Sequence, residues 1–198
     1  AFTGAINAGG SALSDVFIGT GVADSARWTM TDSSNVNNLA LNGNLHFSPQ
    51  GSFKTLNVAN SLSGTGHLYM NTNLGTQQGD KIITNETSGN HVIHVTNRGG
   101  NPSAPGQALE IVEITDQSKS LGNFSLKGGK VDAGAYRYTL MQGSALPVTM
   151  GAQANNWFLY NNGMLSDLNK QVQSGANSIK YATIASLNSL HKRLGELR

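Results

Sequence analysis

The sequence contains no cysteine, and charged residues make up only 12% of its 198 positions. Lack of cysteine excludes a disulfide framework and suits a chain that stays unlocked during export, although cytosolic proteins without cysteine are about as common. No segment reaches the ~18 apolar residues of a membrane-spanning helix. The net charge is +2 and the one basic run is His191-Lys192-Arg193, so nucleic acid is not expected as a partner.

Glycine is abundant, with 24 residues, and hydrophobic residues make up 38% of the chain. Asn, Ser and Thr are also frequent, a composition that is unusual for a helical enzyme and typical of a β-rich protein whose turns stack on one another. A chain of 198 residues is long enough to form one large domain with a buried core.

Short alternating runs of apolar and polar residues begin at Trp28. They are Trp28-Thr29-Met30, Leu39-Ala40-Leu41, Leu45-His46-Phe47, Leu56-Asn57-Val58 and Leu68-Tyr69-Met70. The distance from Leu39 to Leu56 is 17 residues and that from Leu45 to Leu68 is 23 residues. An imperfect repeat near ~20 residues predicts a stacked solenoid, and we expect a parallel β-helix. Asn42-Gly43-Asn44 and Asn71-Thr72-Asn73 then fall at corners, where Asn tolerates the left-handed conformation. Residues 1–21 are expected to form a partial turn or a frayed start.

The stretch 121–160 alternates in the same way and predicts a short antiparallel meander with one apolar face. Gly128-Gly129 is expected to form the turn between its first two strands, and Pro147 with the loop 151–156 separates the later ones. The open end of a β-helix is an exposed edge, and such a face would close it. The predicted cap residues are Phe124, Leu126, Val131, Gly134, Tyr136, Tyr138, Leu140, Trp157 and Leu159.

Segments spread over residues 26–160 together resemble the C-terminal part of pertactin-like, AIDA-type bacterial autotransporter passengers. The segments are Trp28-Thr29-Met30-Thr31, 39–47, 53–58, 62–66, 70–74, 79–83, 88–93, Gly134-Ala135-Tyr136-Arg137-Tyr138-Thr139-Leu140 and Asn156-Trp157-Phe158-Leu159. The resemblance implies an all-β protein: a right-handed parallel β-helix that ends in a cap, known in that family as the autochaperone or junction region. It also implies type V secretion to the bacterial cell surface and divides the chain into rungs (1–120), cap (121–162) and helical linker (163–198).

The function expected from this resemblance is a non-enzymatic folding and export module. The cap would form first and template the rungs upstream of it, so the implied partners are the protein's own upstream rungs and a C-terminal outer-membrane barrel. Ala1-Phe2-Thr3-Gly4 looks like the middle of a longer protein. The alternative is an adhesin that contacts host surface molecules through the β-helix face or the loop Arg98–Gly106; otherwise that loop is a tolerated insertion at a corner. A polysaccharide-lyase type enzyme would need clustered charged residues, which the low charge disfavours.

The pattern changes after Met164. Leu165, Leu168 and Val172 have helical spacing, Ser166 or Asp167 can cap the helix, and Gly175 is expected to end it. Leu187, Leu190, Leu194 and Leu197 form a second apolar stripe. It is similar to the linker helix that threads the translocator barrel in autotransporters. Asn188 occupies the place of the nucleophile in relatives with a self-cleaving linker. The next residue here is Ser189, which departs from that pattern, so an inert surface Asn is the alternative.

The sequence contains no motif for a catalytic, cofactor or metal site. His91 and His94 are three apart, so in a strand they point to opposite faces and do not share an ion. Asp80 resembles a family position and is expected to accept hydrogen bonds in a turn rather than bind calcium. Tyr69 and Trp157 could stack on sugars in an adhesin, but we expect both to be core residues.

Overall fold

The computed structural model of the chain describes residues 1–7, 13–20 and 25–195. Short strands alternate between two sheets as the chain advances. The strands of the first sheet are β1 (Phe2–Thr3), β3 (Arg27–Met30), β6 (Asn44–Phe47), β8 (His67–Asn73), β9 (Gln78–Gly79), β11 (Asn90–Asn97) and β13 (Asn123–Leu126). Those of the second are β2 (Val16–Ile18), β4 (Ser34–Val36), β5 (Leu39–Leu41), β7 (Thr55–Ser63), β10 (Lys81–Thr87), β12 (Ala108–Ile114), β14 (Val131–Ala133), β15 (Tyr136–Gln142) and β16 (Trp157–Tyr160).

Strands from successive turns of the chain pair in parallel and in register. In the first sheet one column of paired residues is Trp28, Leu45, Leu68, Ile93 and Leu126. The first four of these side chains are buried and Leu126 packs against the core, because alternate residues of each strand point inward and stack on their equivalents in the next turn. This arrangement is a parallel β-helix, as predicted; a sandwich built from hairpins would pair consecutive strands antiparallel.

The register confirms one of the two predicted repeats and corrects the other. Leu45 pairs with Leu68, as the 23-residue spacing predicted. Leu39, however, pairs with Leu62, and Leu56 pairs with Ser34, so the proposed 17-residue repeat is wrong. The reason is that β4 and β5 belong to one turn and both lie against the single long strand β7.

The two predicted asparagine corners do not use left-handed asparagines. Among the described residues, Gln77 is the one non-glycine position with a positive φ, at 54°. The asparagines act through their side chains instead. Asn71 donates from Nδ2 to the Phe47 carbonyl at 2.9 Å, and Asn42 Oδ1 accepts from the Thr65 amide at 3.3 Å. The start of the chain is a partial turn: β1 and β2 pair with β3 and β5, while residues 8–12 and 21 lie outside the described part of the chain.

At the C-terminal end the sheet changes from parallel to antiparallel pairing. Strand β16 pairs antiparallel with β12, β15 with β16, and β14 with β15, which gives the predicted antiparallel cap. The assignment of Phe124 and Leu126 to the meander is wrong, because their strand β13 pairs in parallel with β11. Gly128 and Gly129 do form a turn with φ of 76° and 72°, but the strands on either side of it belong to different sheets.

One helix, α1 (Asp167–Gly195), follows the cap. Ser166 caps it, since Ser166 Oγ accepts from the Asn169 amide at 3.3 Å. The predicted end at Gly175 is wrong: one exposed glycine costs a helix only about 1 kcal/mol relative to alanine. Leu187, Leu190 and Leu194 are about half exposed, and Leu197 lies outside the described residues. No helix in the described ranges is both long and apolar enough to cross a bilayer.

Candidate functional site

The predicted cap residues come together at the C-terminal end of the core. Tyr138 and Leu159 are fully buried, and Phe124 meets Trp157 edge to face with ring centroids 5.6 Å apart. The remaining four apolar members pack against the core at its margin: Leu126, Val131, Tyr136 and Leu140. Strand β14 lies close to β11 and β15 lies close to β13, so the hairpin extends across to the first sheet. An apolar face of this kind covers the last turn of the β-helix.

The loop 98–106 is part of this site rather than a free insertion at a corner. Gly134 has a φ of 54°, and a Cβ placed there would come within 2.7 Å of the Asn101 side chain. Glycine is therefore required at this contact, both for its conformation and for the space it leaves. Pro102 is buried, and the Gly106 amide donates to the Asn161 carbonyl at 2.7 Å. The loop is thus held against the cap.

Two buried asparagines, which the sequence analysis missed, hold the two ends of β16. Asn156 Oδ1 accepts from the Ile114 amide at 2.9 Å, and Asn156 Nδ2 donates to Glu110 Oε1 at 2.6 Å. At the other end, Asn161 Nδ2 donates to the Ala104 carbonyl at 3.2 Å. The signal was available in the pairs of asparagines that flank Trp157–Tyr160. Buried amides with these partners hold β16 in one register against the last turn.

A charged cluster joins the cap hairpin to the start of α1. Arg137 Nε donates to Asp132 Oδ1 at 2.8 Å and Arg137 Nη2 contacts Asp167 Oδ1 at 2.6 Å, while Lys130 also pairs with Asp167. The Lys130 and Arg137 hydrogen bonds lower the pKa of Asp167 to about 2, and the Arg137 guanidinium lowers the pKa of Asp132. Ser166 Oγ adds a hydrogen bond of 2.8 Å to the Gly134 carbonyl. The direction in which the helix leaves the cap is therefore set by the hairpin.

His91 is buried beneath the cap. Its ring lies 5.3 Å from that of Phe124 between centroids, and neither ring nitrogen has a hydrogen-bond partner. Burial lowers the pKa of His91 from 6.5 to about 4. Sequence reasoning placed His91 and His94 on opposite faces, and the structure confirms it: His91 points into the core and His94 points outward.

This buried histidine predicts an acid-sensitive stability. Between pH 6.5 and about 4 the unfolded chain binds a proton at this position that the folded chain does not. The free energy of unfolding should therefore fall as the pH drops through that window, by about 3 kcal/mol from this group alone. Chemical denaturation at a series of pH values measures it. The loss should shrink in His91→Leu and persist in His191→Gln, where the replaced histidine is exposed; an equal loss in all three chains would refute the assignment.

The other candidate residues also have definite places. Asp80 is buried and accepts from the Lys54 amide at 2.8 Å and the Asn71 amide at 2.6 Å, which confirms the predicted turn acceptor. Trp157 is a core residue as expected, but Tyr69 is not: it lies on the outward face of β8 between His46 and His94. Asn188 is exposed within α1. In the described part of the chain no three His, Cys, Asp or Glu side chains are gathered as a metal site.

The chain is similar to a group of bacterial surface proteins. Residues 31–161 match the family model described as Pertactin. The chain is 35% identical over 127 residues to an immunoglobulin A1 protease autotransporter of Haemophilus influenzae, covering 60% of this chain and 7% of that protein. It is 29% identical over 176 residues to the BrkA autotransporter of Bordetella pertussis, covering 86% of this chain and 16% of BrkA.

Among solved structures, the Hap adhesin of Haemophilus influenzae matches 81% of the chain with a TM-score of 0.63 and 27% identity. That match covers 16% of the Hap chain. The chain therefore spans a small part of the length of each of these relatives.

Proposed function

Because the chain belongs to the pertactin family of autotransporter passengers, we propose that it serves a non-enzymatic autochaperone role, capping the β-helix and promoting the folding and export of the passenger. Passengers of this family are exported to the cell surface or secreted through the outer membrane. Linkage to a C-terminal outer-membrane barrel is implied by the same relatives. In this proposal the cap is the folding site and acts by shape, without catalysis.

The observation that carries the proposal is the difference between the two ends of the β-helix. At the C-terminal end the antiparallel strands β14–β16 and the loop 98–106 cover the core. At the other end, β1 and β2 pair in parallel with β3 and β5, and within the described residues no antiparallel strand adds to them. There Phe17 is 77% exposed, and an apolar cavity of about 430 Å³ is lined by Phe2, Ile6 and Trp28 among others. The two ends of the core therefore differ in what covers them, which supports a capping role for the C-terminal one.

Stacking makes the first turn of a β-helix the costliest one to form. The first turn of a β-helix has to be ordered without a neighbour, whereas each later turn pairs with an edge that already exists. The cap supplies that first edge, since β16 binds β12 and the Asn156 and Asn161 side chains hold it there. If the C-terminal turns leave the membrane first, they can fold first and template the turns that follow.

The two tryptophans allow a direct test, because Trp28 lies in an early turn and Trp157 lies in the cap. Each is buried, at 2% and 8% exposure, so its fluorescence reports the folding of its own end. Trp28→Phe leaves the cap reporter and Trp157→Phe leaves the early-turn reporter. On dilution from denaturant, we expect the Trp157 signal to recover before the Trp28 signal. Stopped-flow fluorescence measures both, and pulsed hydrogen exchange gives the same comparison in the unmodified chain.

Matched substitutions in the core test whether the cap templates the folding of the earlier turns or only covers the end of the β-helix. Tyr138→Ala in the cap should slow recovery of the Trp28 signal as well as its own. Leu45→Ala, at a fully buried position of the early strand β6, should slow the Trp28 signal and leave the Trp157 signal unchanged. Simultaneous recovery of both reporters, or recovery of Trp28 first, would remove the template role.

An adhesin is the second candidate, and one feature favours it. An open surface pocket of about 590 Å³ is lined by Phe53, Gln77, Lys81 and Glu110 among others. The structural relative Hap is described as an adhesin, and another relative, TibA of Escherichia coli, as an adhesin/invasin. Attachment of the purified chain to host cells that is lost in Phe53→Ala would support this function.

A further inference from the structure

The outer face of the first sheet carries a row of aromatic rings that the cap does not use. Register places His46, Tyr69 and His94 side by side on the adjacent strands β6, β8 and β11. The His46 and Tyr69 rings stack with centroids 3.9 Å apart and planes 6° apart, and the Tyr69 and His94 rings stack at 4.1 Å and 17°. Both faces of Tyr69 are covered by histidine, so this row does not offer its rings to a sugar.

A second contact links this row to the strand position beside it. His67 precedes Tyr69 by two residues on the same face of β8, and its Nδ1 lies 2.8 Å from His94 Nε2. Burial is the largest cause that lowers the pKa of His94, and the charges of the nearby His67, Lys127 and His46 lower it further. The stacking on Tyr69 holds the His94 ring in place, so a pair of imidazole nitrogens faces one point at the surface.

We propose that His67 and His94 bind one divalent transition-metal ion, Cu²⁺ more tightly than Zn²⁺, through His67 Nδ1 and His94 Nε2. Neutral imidazole is the favoured nitrogen ligand for both ions, and Cu²⁺ stands above Zn²⁺ in the affinity order for such ligands. Metal–nitrogen distances of about 2.0–2.1 Å place the two nitrogens about 2.9 Å apart in a tetragonal Cu²⁺ site and about 3.3 Å apart in a tetrahedral Zn²⁺ site. The pair, now 2.8 Å apart, has to open by about 0.1 Å for Cu²⁺ and about 0.5 Å for Zn²⁺.

The proton balance of binding is simple. In the metal-free pair, one of the two facing nitrogens donates a hydrogen bond to the other. When the ion binds, both facing nitrogens present lone pairs, and the proton moves to the far nitrogen of the same ring. Each histidine stays neutral, and no proton is released.

The proposed site provides two protein ligands. No third His, Cys, Asp or Glu of the described residues joins them as a cluster, and Tyr69 separates His46 from the pair. Its remaining coordination positions would be filled by water or by a ligand from another molecule, so the bound ion is exchangeable. This distinguishes it from a structural metal site, on which folding would depend.

Titration of the 198-residue chain with CuCl₂ and, separately, with ZnCl₂ tests the proposal by isothermal calorimetry. One Cu²⁺ per chain is expected, bound more tightly than Zn²⁺. Loss of an outer-shell partner alone weakens metal sites by ~10–100-fold, so His67→Gln and His94→Gln should each weaken binding by at least that much. His191→Gln, which removes an exposed histidine of α1, should leave binding unchanged. Circular dichroism checks that each variant remains folded.

Electron paramagnetic resonance of the Cu²⁺-loaded, unmodified chain gives an answer that does not depend on any variant. Two imidazole nitrogens coupled to the ion are expected, one from each histidine. A spectrum with one nitrogen or none, unchanged binding in both His67→Gln and His94→Gln, or loss of binding in His191→Gln would each overturn the assignment.

Discussion

Tyr138→Ala is expected to lower the free energy of unfolding by about 3–5 kcal/mol, the range for removing a large aromatic side chain from a packed core. Tyr138 is fully buried beneath the cap. Its hydroxyl accepts from Gln77 Nε2 at 3.2 Å and donates to Gln107 Oε1 at 3.3 Å. The substitution thus creates a cavity and leaves two glutamines without their shared partner. Denaturant unfolding followed at Trp157 measures the effect at the cap.

Tyr138→Phe is the matched control, because it keeps the ring and removes only the hydroxyl. It should cost about 1 kcal/mol, the usual net value of a hydrogen bond. The difference between the two variants then measures ring packing. A loss of less than about 1 kcal/mol in Tyr138→Ala would be far below the range for such cavities. It would show that the cap contributes little to stability.

Asp80→Ala is expected to cost at least about 3 kcal/mol, because each buried N–H group left without an acceptor costs about 1–3 kcal/mol. The carboxylate is 1% exposed and accepts from two backbone amides, those of Lys54 and Asn71, and from Asn71 Nδ2 at 2.8 Å. Alanine leaves three buried N–H groups unpaired at a corner where two turns of the β-helix meet. Hydrogen exchange at the Lys54 and Asn71 amides should speed up together with the global loss of stability.

Asp80→Asn tests the charge separately from the shape. One amide oxygen can still accept, but the amide nitrogen faces a donor, so the cost should lie between zero and that of Asp80→Ala. Asp116→Ala serves as a surface control, since that side chain is 34% exposed and accepts from the Ser118 amide at 3.1 Å. Equal effects of Asp80→Ala and Asp116→Ala would contradict the proposed role of the buried corner.

The apolar residues predicted for the cap lie in or against the core, but Phe124 and Leu126 belong to a strand outside the predicted meander, and the polar contacts of the cap were not predicted. Alternation identified Phe124, Tyr138, Trp157 and Leu159 as core residues because the inward face of a strand is a local property. Which polar groups hold the cap is not local. Asn156 meets Glu110 across 46 positions of sequence, and Asn161 meets Ala104 across 57. No spacing rule links residues so far apart.

Strand direction shows the same limit. Phe124 and Leu126 have the alternation of a meander strand, yet β13 pairs in parallel with β11. A period of two is common to parallel and antiparallel strands, so the pattern cannot distinguish them. The predicted end of the helix was wrong for a related reason. Gly175 lowers the local helix propensity, but the helical hydrogen bonds on either side of it allow α1 to continue.

By itself, the sequence determined the β-helical class, the inward residues of most strands and the opposite faces of His91 and His94, since each depends on composition or on the period along a strand. The tertiary structure decided which residues meet across turns. Turn lengths vary, from 17 residues between Trp28 and Leu45 to 33 between Ile93 and Leu126. Which residues stack on one another therefore depends on how each turn packs against the turn next to it. For this reason His94 contacts His67 on the neighbouring strand, and the loop 98–106 lies against Gly134.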